Sequence, residues 1–319
     1  MFENFYGNQK VKETLVTLID DGRLSHGILL EGERGLGKKT LAKEIAKAVL
    51  CTGESKPCGV CRACKKIEAG VHPDFLYFSG GEGARSFHID TIREIREAAY
   101  VMPNEGAAKV FLLSDVQNMT IQAQNALLKI IEEPPEQTMF LLTCDDTSAL
   151  LTTILSRLVT LRLQHPSQKE CEQALEKLAP EETPERRTEA ANTAHGNIGE
   201  ALALIRDETA MKISTDAKKL LQVLCLGSEY EMLTILYPYE RQREQFVRLM
   251  DALGRLFCDI ALSRYHTARQ DTRQYGTRIS QQKALKAVEL STAMRDKAIG
   301  NANIALLSAG YCGKLKSMV

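Results

Sequence analysis

The sequence predicts an α/β domain built on a P-loop-type parallel sheet, then a small helical lid, then an all-α C-terminal region. Three features carry that reading. Short apolar runs alternate with helix-period segments through the first 165 residues, as strands covered by helices on both faces require. A glycine-rich loop joins the first such run to a helix, and beyond Ser167 the strand pattern vanishes. A chain of 319 residues has room for two or three domains; the expected divisions are 1–165, 166–206 and 207–319.

The elements follow in order. GILLEG (27–32) is an apolar run ending on glycine, a buried strand entering a turn. Between Thr40 and Leu50, Leu41, Ala42, Ile45, Ala46, Val49 and Leu50 fall at helical spacing. DFLYF (74–78), KVFLLSD (109–115) and MFLLTC (139–144) are further strands. LVTLRL (158–163) alternates, with Leu158, Thr160 and Arg162 on one side and Val159, Leu161 and Leu163 on the other. Helices fill the gaps over Ile89–Tyr100 and Ile121–Glu132, the second stopped by Pro134-Pro135. Residues 167–204 read as two or three short helices broken at Pro180, Pro184 and Gly196-Asn197. From Ile205 onward the pattern is helical, with breaks at Gly227, Pro238 and Gly276.

Composition narrows the function classes. Lys+Arg and Asp+Glu both number 41, so net charge favours neither a nucleic-acid coat nor a membrane-surface protein. Basic residues concentrate after Arg241, a bias open to DNA, to an acidic partner or to solvent alone. No apolar run approaches the roughly 20 residues that span a bilayer. The start, MFENFYGNQK, lacks the order of a secretory signal, so a soluble, cytoplasmic protein is expected. Of the nine cysteines, Cys144, Cys171, Cys225, Cys258 and Cys312 are scattered and read as buried free thiols.

Gly32-Glu33-Arg34-Gly35-Leu36-Gly37-Lys38-Lys39-Thr40 follows a strand and opens a helix, the setting of a phosphate-binding loop. Its glycines allow backbone N–H groups to turn toward phosphate, and Lys38 would reach the β/γ-phosphates. The Mg²⁺-ligating Ser/Thr should come next, but Lys39 stands there and Thr40 is one place late. At the end of another strand Asp115 supplies an acid for the metal shell, yet Val116 follows where a water-activating glutamate belongs. A nucleotide site that hydrolyses poorly or not at all fits this pattern. So does a glycine-rich turn with no ligand.

Cys51, Cys58, Cys61 and Cys64 form C-x6-C-x2-C-x2-C, with Pro57 and Gly59 to fold the loop. Four thiolates so spaced suit tetrahedral Zn²⁺ with no open position, hence a structural site; reactive thiols are the alternative. His72, in HPD, reads as a turn or capping residue rather than a ligand.

Taken together these residues resemble the AAA+ clamp-loader family of bacterial DNA polymerase III. The blocks are SHGILLEGERGLGKKTLAKEIAKAVLC, the cysteine knuckle, HPD, NALLKIIEEPP (125–135) and TILSR (153–157). The resemblance implies an AAA+ sheet domain, a lid, and a helical collar that assembles into a five-part ring. Its implied partners are motor subunits, a clamp-opening subunit, the sliding clamp and primer-template DNA. Motor subunits of the family carry an intact phosphate loop, an Asp-Glu pair and a sensor arginine in the lid. Here those places read Lys39, Val116 and, within HGNIGEAL (195–202), Gly199.

The family also contains a subunit that completes its neighbour's site instead of its own, through a Ser-Arg-Cys arginine reaching the γ-phosphate next door. Ser156 and Arg157 match it, and Leu158 replaces the cysteine. An exposed helix-end arginine is the plain alternative. ATP and Mg²⁺ are then expected at neighbouring subunits, with no ATPase of the chain's own within the polymerase holoenzyme, a nucleotidyltransferase. The competing reading is an ATP-hydrolysing motor subunit or a stand-alone AAA+ ATPase. A DNA-binding module acting alone ranks third, since zero net charge gives little counterion release. The family would place Asn125 or Lys129 near DNA, and Phe2, Phe5, Tyr6 and Gly7 near the adenine pocket. A solvated helix face and core packing explain the same residues.

Overall fold

Five apolar segments become five parallel strands: β1 (Gly27–Glu31), β2 (Phe75–Ser79), β3 (Lys109–Ser114), β4 (Thr138–Cys144) and β5 (Val159–Arg162). The computed structural model describes residues 1–80, 87–262, 275 and 278–318. They fall into two compact units, Met1–Leu202 and Ala203–Val319.

In the first unit the strand order is β2-β3-β4-β1-β5. Ile28 of β1 lies opposite Leu141 of β4 and Val159 of β5, and Leu112 of β3 lies opposite Leu141 and Tyr77. Period-2 alternation splits the apolar residues between two cores. Leu29, Phe111, Leu113, Phe140 and Leu142 face one side, with the Phe111 and Phe140 rings stacked at 5.3 Å. Helices α4 (Ile89–Ala99), α5 (Ile121–Glu132) and α6 (Thr152–Leu155) cover that side. Ile28, Leu30, Val110, Leu112 and Leu141 face the other, under α1 (Gln9–Asp20), α2 (Lys38–Leu50) and α3 (Arg62–Glu68). Burial on both faces is why β3 and β4 read as unbroken apolar runs.

β5 departs from its expected pattern. Leu158 is 8% exposed but Val159 is 39% exposed, because among the described residues this strand pairs only with β1 and its other edge is open. α2 starts two residues before the expected Thr40, since Gly37 takes the left-handed N-cap. Phe2 and Phe5 are core residues, and the Phe5 ring lies against Gly37. Among the scattered cysteines Cys144, Cys171 and Cys312 are buried, Cys225 is half-buried, and Cys258 is exposed, contrary to its expected burial: the face of its helix that packs inward is formed by Leu253, Leu256, Phe257 and Ile260.

After Pro166 come α7 (Gln168–Leu178), α8 (Pro184–Thr193) and α9 (Ile198–Arg206). Ser167 opens α7 with a capping box to Glu170, and Pro184 is the first residue of α8, not a break within it. The second unit contains α10 (Glu208–Leu226), α11 (Glu229–Leu236), α12 (Arg243–Ala261), α13 (Gln281–Ile299) and α14 (Ile304–Met318). Gly227 ends α10 and Pro238 lies in a short 3₁₀ turn; Gly276 falls outside the described residues. The core of this unit buries two tyrosine hydroxyls with partners, Tyr239 donating to Asp216 at 2.7 Å and Tyr311 bonded to Ser291 at 2.7 Å. Lys316 caps α10 through the carbonyls of Leu224 (2.9 Å) and Gly227 (2.7 Å). No described helix is long and apolar enough to cross a membrane.

Candidate functional site

Parallel strands bring all their carboxyl ends to one end of the sheet, where ligand crevices of such sheets form. The glycine-rich loop leaves β1 there. Gly32, Gly35 and Gly37 have φ of 155°, 95° and 82°, values that a side chain disfavours. Lys38 is 6% exposed. Its Nζ donates to Asp145 Oδ1 at 2.6 Å, to the Glu33 carbonyl at 3.0 Å and to the Gly32 carbonyl. All three ammonium donors are thereby engaged within the chain.

Lys39 reaches Asp115 Oδ2 at 2.8 Å. Burial opposes its charge, but Asp115 and Tyr77 outweigh that and raise its pKa above the ordinary lysine value. The acid expected in a metal shell is therefore paired with an ammonium from the first turn of α2. Thr40 is exposed on α2. Val116 is fully buried in the core with Leu113 and Leu127, so the place of a water-activating glutamate holds a packed apolar side chain.

The start of α9 lies on this loop. The Gly199 N–H donates to the Gly35 carbonyl at 3.0 Å, and Asn197 Nδ2 donates to the Arg34 carbonyl at 2.8 Å. A Cβ on Gly199 would stand 2.6 Å from Gly35 Cα. Where the family resemblance puts a sensor arginine in motor subunits, this chain has no room for a side chain.

The cysteines gather after α2, at the opposite end of the sheet. Their four sulfurs lie within 4.8 Å of one another. Cys51 and Cys61 Sγ are 3.8 Å apart, and sulfurs about 2.3 Å from a tetrahedral zinc stand about 3.8 Å apart. Backbone N–H groups of Gly53 and Cys58 donate to Cys51 Sγ at 3.3 and 3.4 Å, and that of Cys61 to Cys58 Sγ at 3.3 Å. A Cβ on Gly53 would meet Cys58 Sγ at 3.0 Å. Burial opposes ionisation of Cys61, yet the N–H groups of Cys64 and Thr52 hold its thiol down to about 5; burial pushes Cys64 up to about 12. The donor set fits a zinc knuckle. Buried Lys47 anchors α3 beside it, pairing with Glu44 at 2.8 Å and with Glu68.

His72 serves the turn, as its sequence position suggests: its Nδ1 accepts from the Asp74 N–H at 3.0 Å. Fully buried Asp74 then accepts from the backbone N–H groups of Asn104, Glu105 and Gly106 at 2.7, 2.7 and 2.8 Å. Burial works against its charge, but these donors win and lower its pKa.

Arg157 also sits at this end, just before β5. Its side chain is 38% exposed and its Nη2 meets Glu132 Oε1 at 2.6 Å. Nη1 donates to the Thr153 carbonyl (2.9 Å) and to Ser156 Oγ (3.2 Å). Leu158, standing for the family's cysteine, fills the space beside Gly27, where a Cβ would lie 2.5 Å from its Cδ2. Buried Gln124 secures the approach to α6, with Nε2 donating to the Ala149 carbonyl (3.0 Å) and Oε1 accepting from the Leu151 N–H (2.8 Å). Asn125 and Lys129 are exposed on α5.

Gln124, Glu132 and Asp145 were missed by sequence reasoning. Only Gln124 left a signal, a polar residue on the stripe of Ala123, Leu127, Ile130 and Ile131. Glu132 and Asp145 look like ordinary surface acids until the fold brings basic partners to them.

A family profile described as "DNA polymerase III, delta subunit" matches residues 7–167, half of the chain. The DNA polymerase III subunit delta' of Escherichia coli is 31% identical over 264 residues, 82% of this chain and 76% of that protein. The delta' subunit of Bacillus subtilis is 35% identical, covering 67% of this chain and 64% of that one. The gamma subunit of Buchnera aphidicola is 32% identical over 64% of this chain, a match that spans 57% of the gamma protein's length.

Proposed function

This chain belongs to the DNA polymerase III clamp-loader subunit family, and from that premise we propose that it is a delta-prime scaffolding subunit without ATP hydrolysis of its own. In this reading it joins motor subunits and a clamp-opening subunit in a ring that loads the sliding clamp onto primed DNA. The helical region 207–319 acts as the collar and 166–206 as the lid. Zn²⁺ is held by Cys51, Cys58, Cys61 and Cys64 and stiffens the loop between α2 and β2 without taking part in chemistry. The work is cytoplasmic.

Arg157 is the residue that acts on the reaction. Its guanidinium would enter the neighbour's site and offset charge developing on the transferred phosphoryl group, an effect worth roughly 10³–10⁵ in rate for arginine fingers. The observation that carries the reading is a contrast in exposure. Arg157 is 38% exposed with one carboxylate partner, whereas Lys38 is 6% exposed and uses every donor internally. Lys39, Val116 and Gly199 support it, since each occupies a position that hydrolysis needs for something else. Gly32, Gly35, Gly37, Lys38, Thr40 and Asp115 then form a degenerate nucleotide site.

The test is DNA-stimulated ATP hydrolysis by the motor subunits, assembled with the clamp, the remaining ring subunit and this chain as wild type or Arg157→Ala. A fall of 100-fold or more, on the order of an arginine finger's loss, with no turnover by the isolated chain, is the expected result. Turnover by the isolated chain that Lys38→Ala abolishes would establish the motor reading instead.

A further inference from the structure

The finger is not free in this structure. Of the groups that hold the Arg157 guanidinium, the Thr153 carbonyl and Ser156 Oγ belong to its own short helix and its extension. Glu132 is the partner from another element, on the last turn of α5, and α5 cannot be extended past Pro134-Pro135. That stop places the carboxylate beside the guanidinium. Among the described residues Glu132 pairs with no other cation, so its charge is committed to Arg157.

Both members are partly open to water, at 38% and 43% exposure. A pair of this kind is held by little net energy, because each ion is still well solvated when the contact breaks. A terminal phosphate carries more negative charge than a carboxylate and binds a guanidinium through the same two-pronged geometry. It therefore displaces Glu132 once it comes within reach. While the pair stands, Glu132 competes with a phosphate for the guanidinium N–H groups.

We propose that Glu132 is a positioning residue that parks Arg157 at the end of α5 and releases it to the terminal phosphate of a nucleoside triphosphate on an adjoining subunit. The parked arginine is kept ordered but withheld, so hydrolysis next door is damped until the interface closes. This rests on the reading of Arg157 as a finger acting in trans.

The experiment uses the assembled clamp loader with ATP, measured with and without primed DNA and clamp. This chain is supplied as wild type, Glu132→Gln, Arg157→Ala and the double variant. Glutamine keeps the length and hydrogen-bonding capacity of the side chain and removes its charge. Glu132→Gln should raise hydrolysis in the absence of DNA by about two- to fivefold, the range of an exposed ion pair. The gain should shrink as salt screens the wild-type pair, and it should vanish in the Arg157→Ala background.

Equal rates for Glu132→Gln and wild type, with Arg157→Ala still impaired, would overturn the parking role and leave the finger intact. No effect of Arg157→Ala would overturn the finger itself. A Glu132→Gln effect that persists without Arg157 would reduce Glu132 to a structural residue, and an altered thermal midpoint of the variant would identify that case independently.

Discussion

At the two ends of the five-stranded sheet, Lys38 and Arg157 are held differently, the first buried and the second partly open to water. At the carboxyl end, Lys38 and Lys39 are each matched to an acid of the same chain, Asp145 at 2.6 Å and Asp115 at 2.8 Å, and α9 lies directly on the loop that presents them. At the amino end, Arg157 pairs with a half-exposed glutamate, while the cysteine knuckle and buried Asp74 brace other loops at that end. The carboxyl end is where a parallel sheet ordinarily offers its ligand site. Here the buried ammonium at that end, Lys38, is neutralised within the chain.

The loops at the amino end depend on the cysteine cluster and on Asp74, and removing the first should give the largest effect. Cys58→Ser together with Cys61→Ser should release bound metal and lower stability by several kcal/mol, since ligand-bond energy in such sites is folding energy. Metal analysis and thermal melting measure both, and equal zinc content in variant and wild type would remove the knuckle from the account. Metal loss should also follow acidification, because protons compete with the metal for the thiolates.

Asp74 gives the next largest effect. Asp74→Ala strands three backbone N–H donors and should destabilise the unit by about 2–4 kcal/mol. Its pKa is lowered from 3.8 in the folded chain. Its contribution is therefore present above the unfolded value and is lost as pH falls through the folded one. Melting temperature should decline below about pH 4, and the Asp74→Ala variant should show a shallower decline. Parallel pH profiles would show that other carboxylates govern acid unfolding.

At the carboxyl end the sharper probe is Gly199. Placing a methyl group there sets it 2.6 Å from backbone of the phosphate loop, and Gly199→Ala should cost about 1–3 kcal/mol from overpacking. An unchanged melting curve would mean that α9 does not press on the loop in solution, and the contrast between the two ends would weaken.

Much of this was legible in the residue order. The five strands announced themselves as apolar runs because β3 and β4 are buried on both faces. β5 was legible as a strand, but its facing was not. The alternation of Val159 and Leu161 with Thr160 and Arg162 implies a buried Val159, and an open edge leaves that residue exposed. Helix starts were readable wherever a capping residue marks them, as at Thr120 and Ser167. The start at Gly37 depends on a left-handed cap, and the loop holds three glycines able to supply one. Cys258 shows the limit of composition: cysteine is usually buried, but the helix turns this one outward.

Local spacing by itself determined the glycine-rich loop, the four-cysteine cluster and the positions where Lys39 and Val116 replace the expected groups, whereas the Gly199 position followed from the family resemblance. Such motifs are read along the chain, and their ligands lie within a few residues of one another. Tertiary structure alone decided the pairings of Lys38 with Asp145, Lys39 with Asp115, Arg157 with Glu132, and Gly199 with Gly35, whose members lie 107, 76, 25 and 164 residues apart. Charge complementarity has no sequence period, so only the packing of strands and helices selects which acid meets which base.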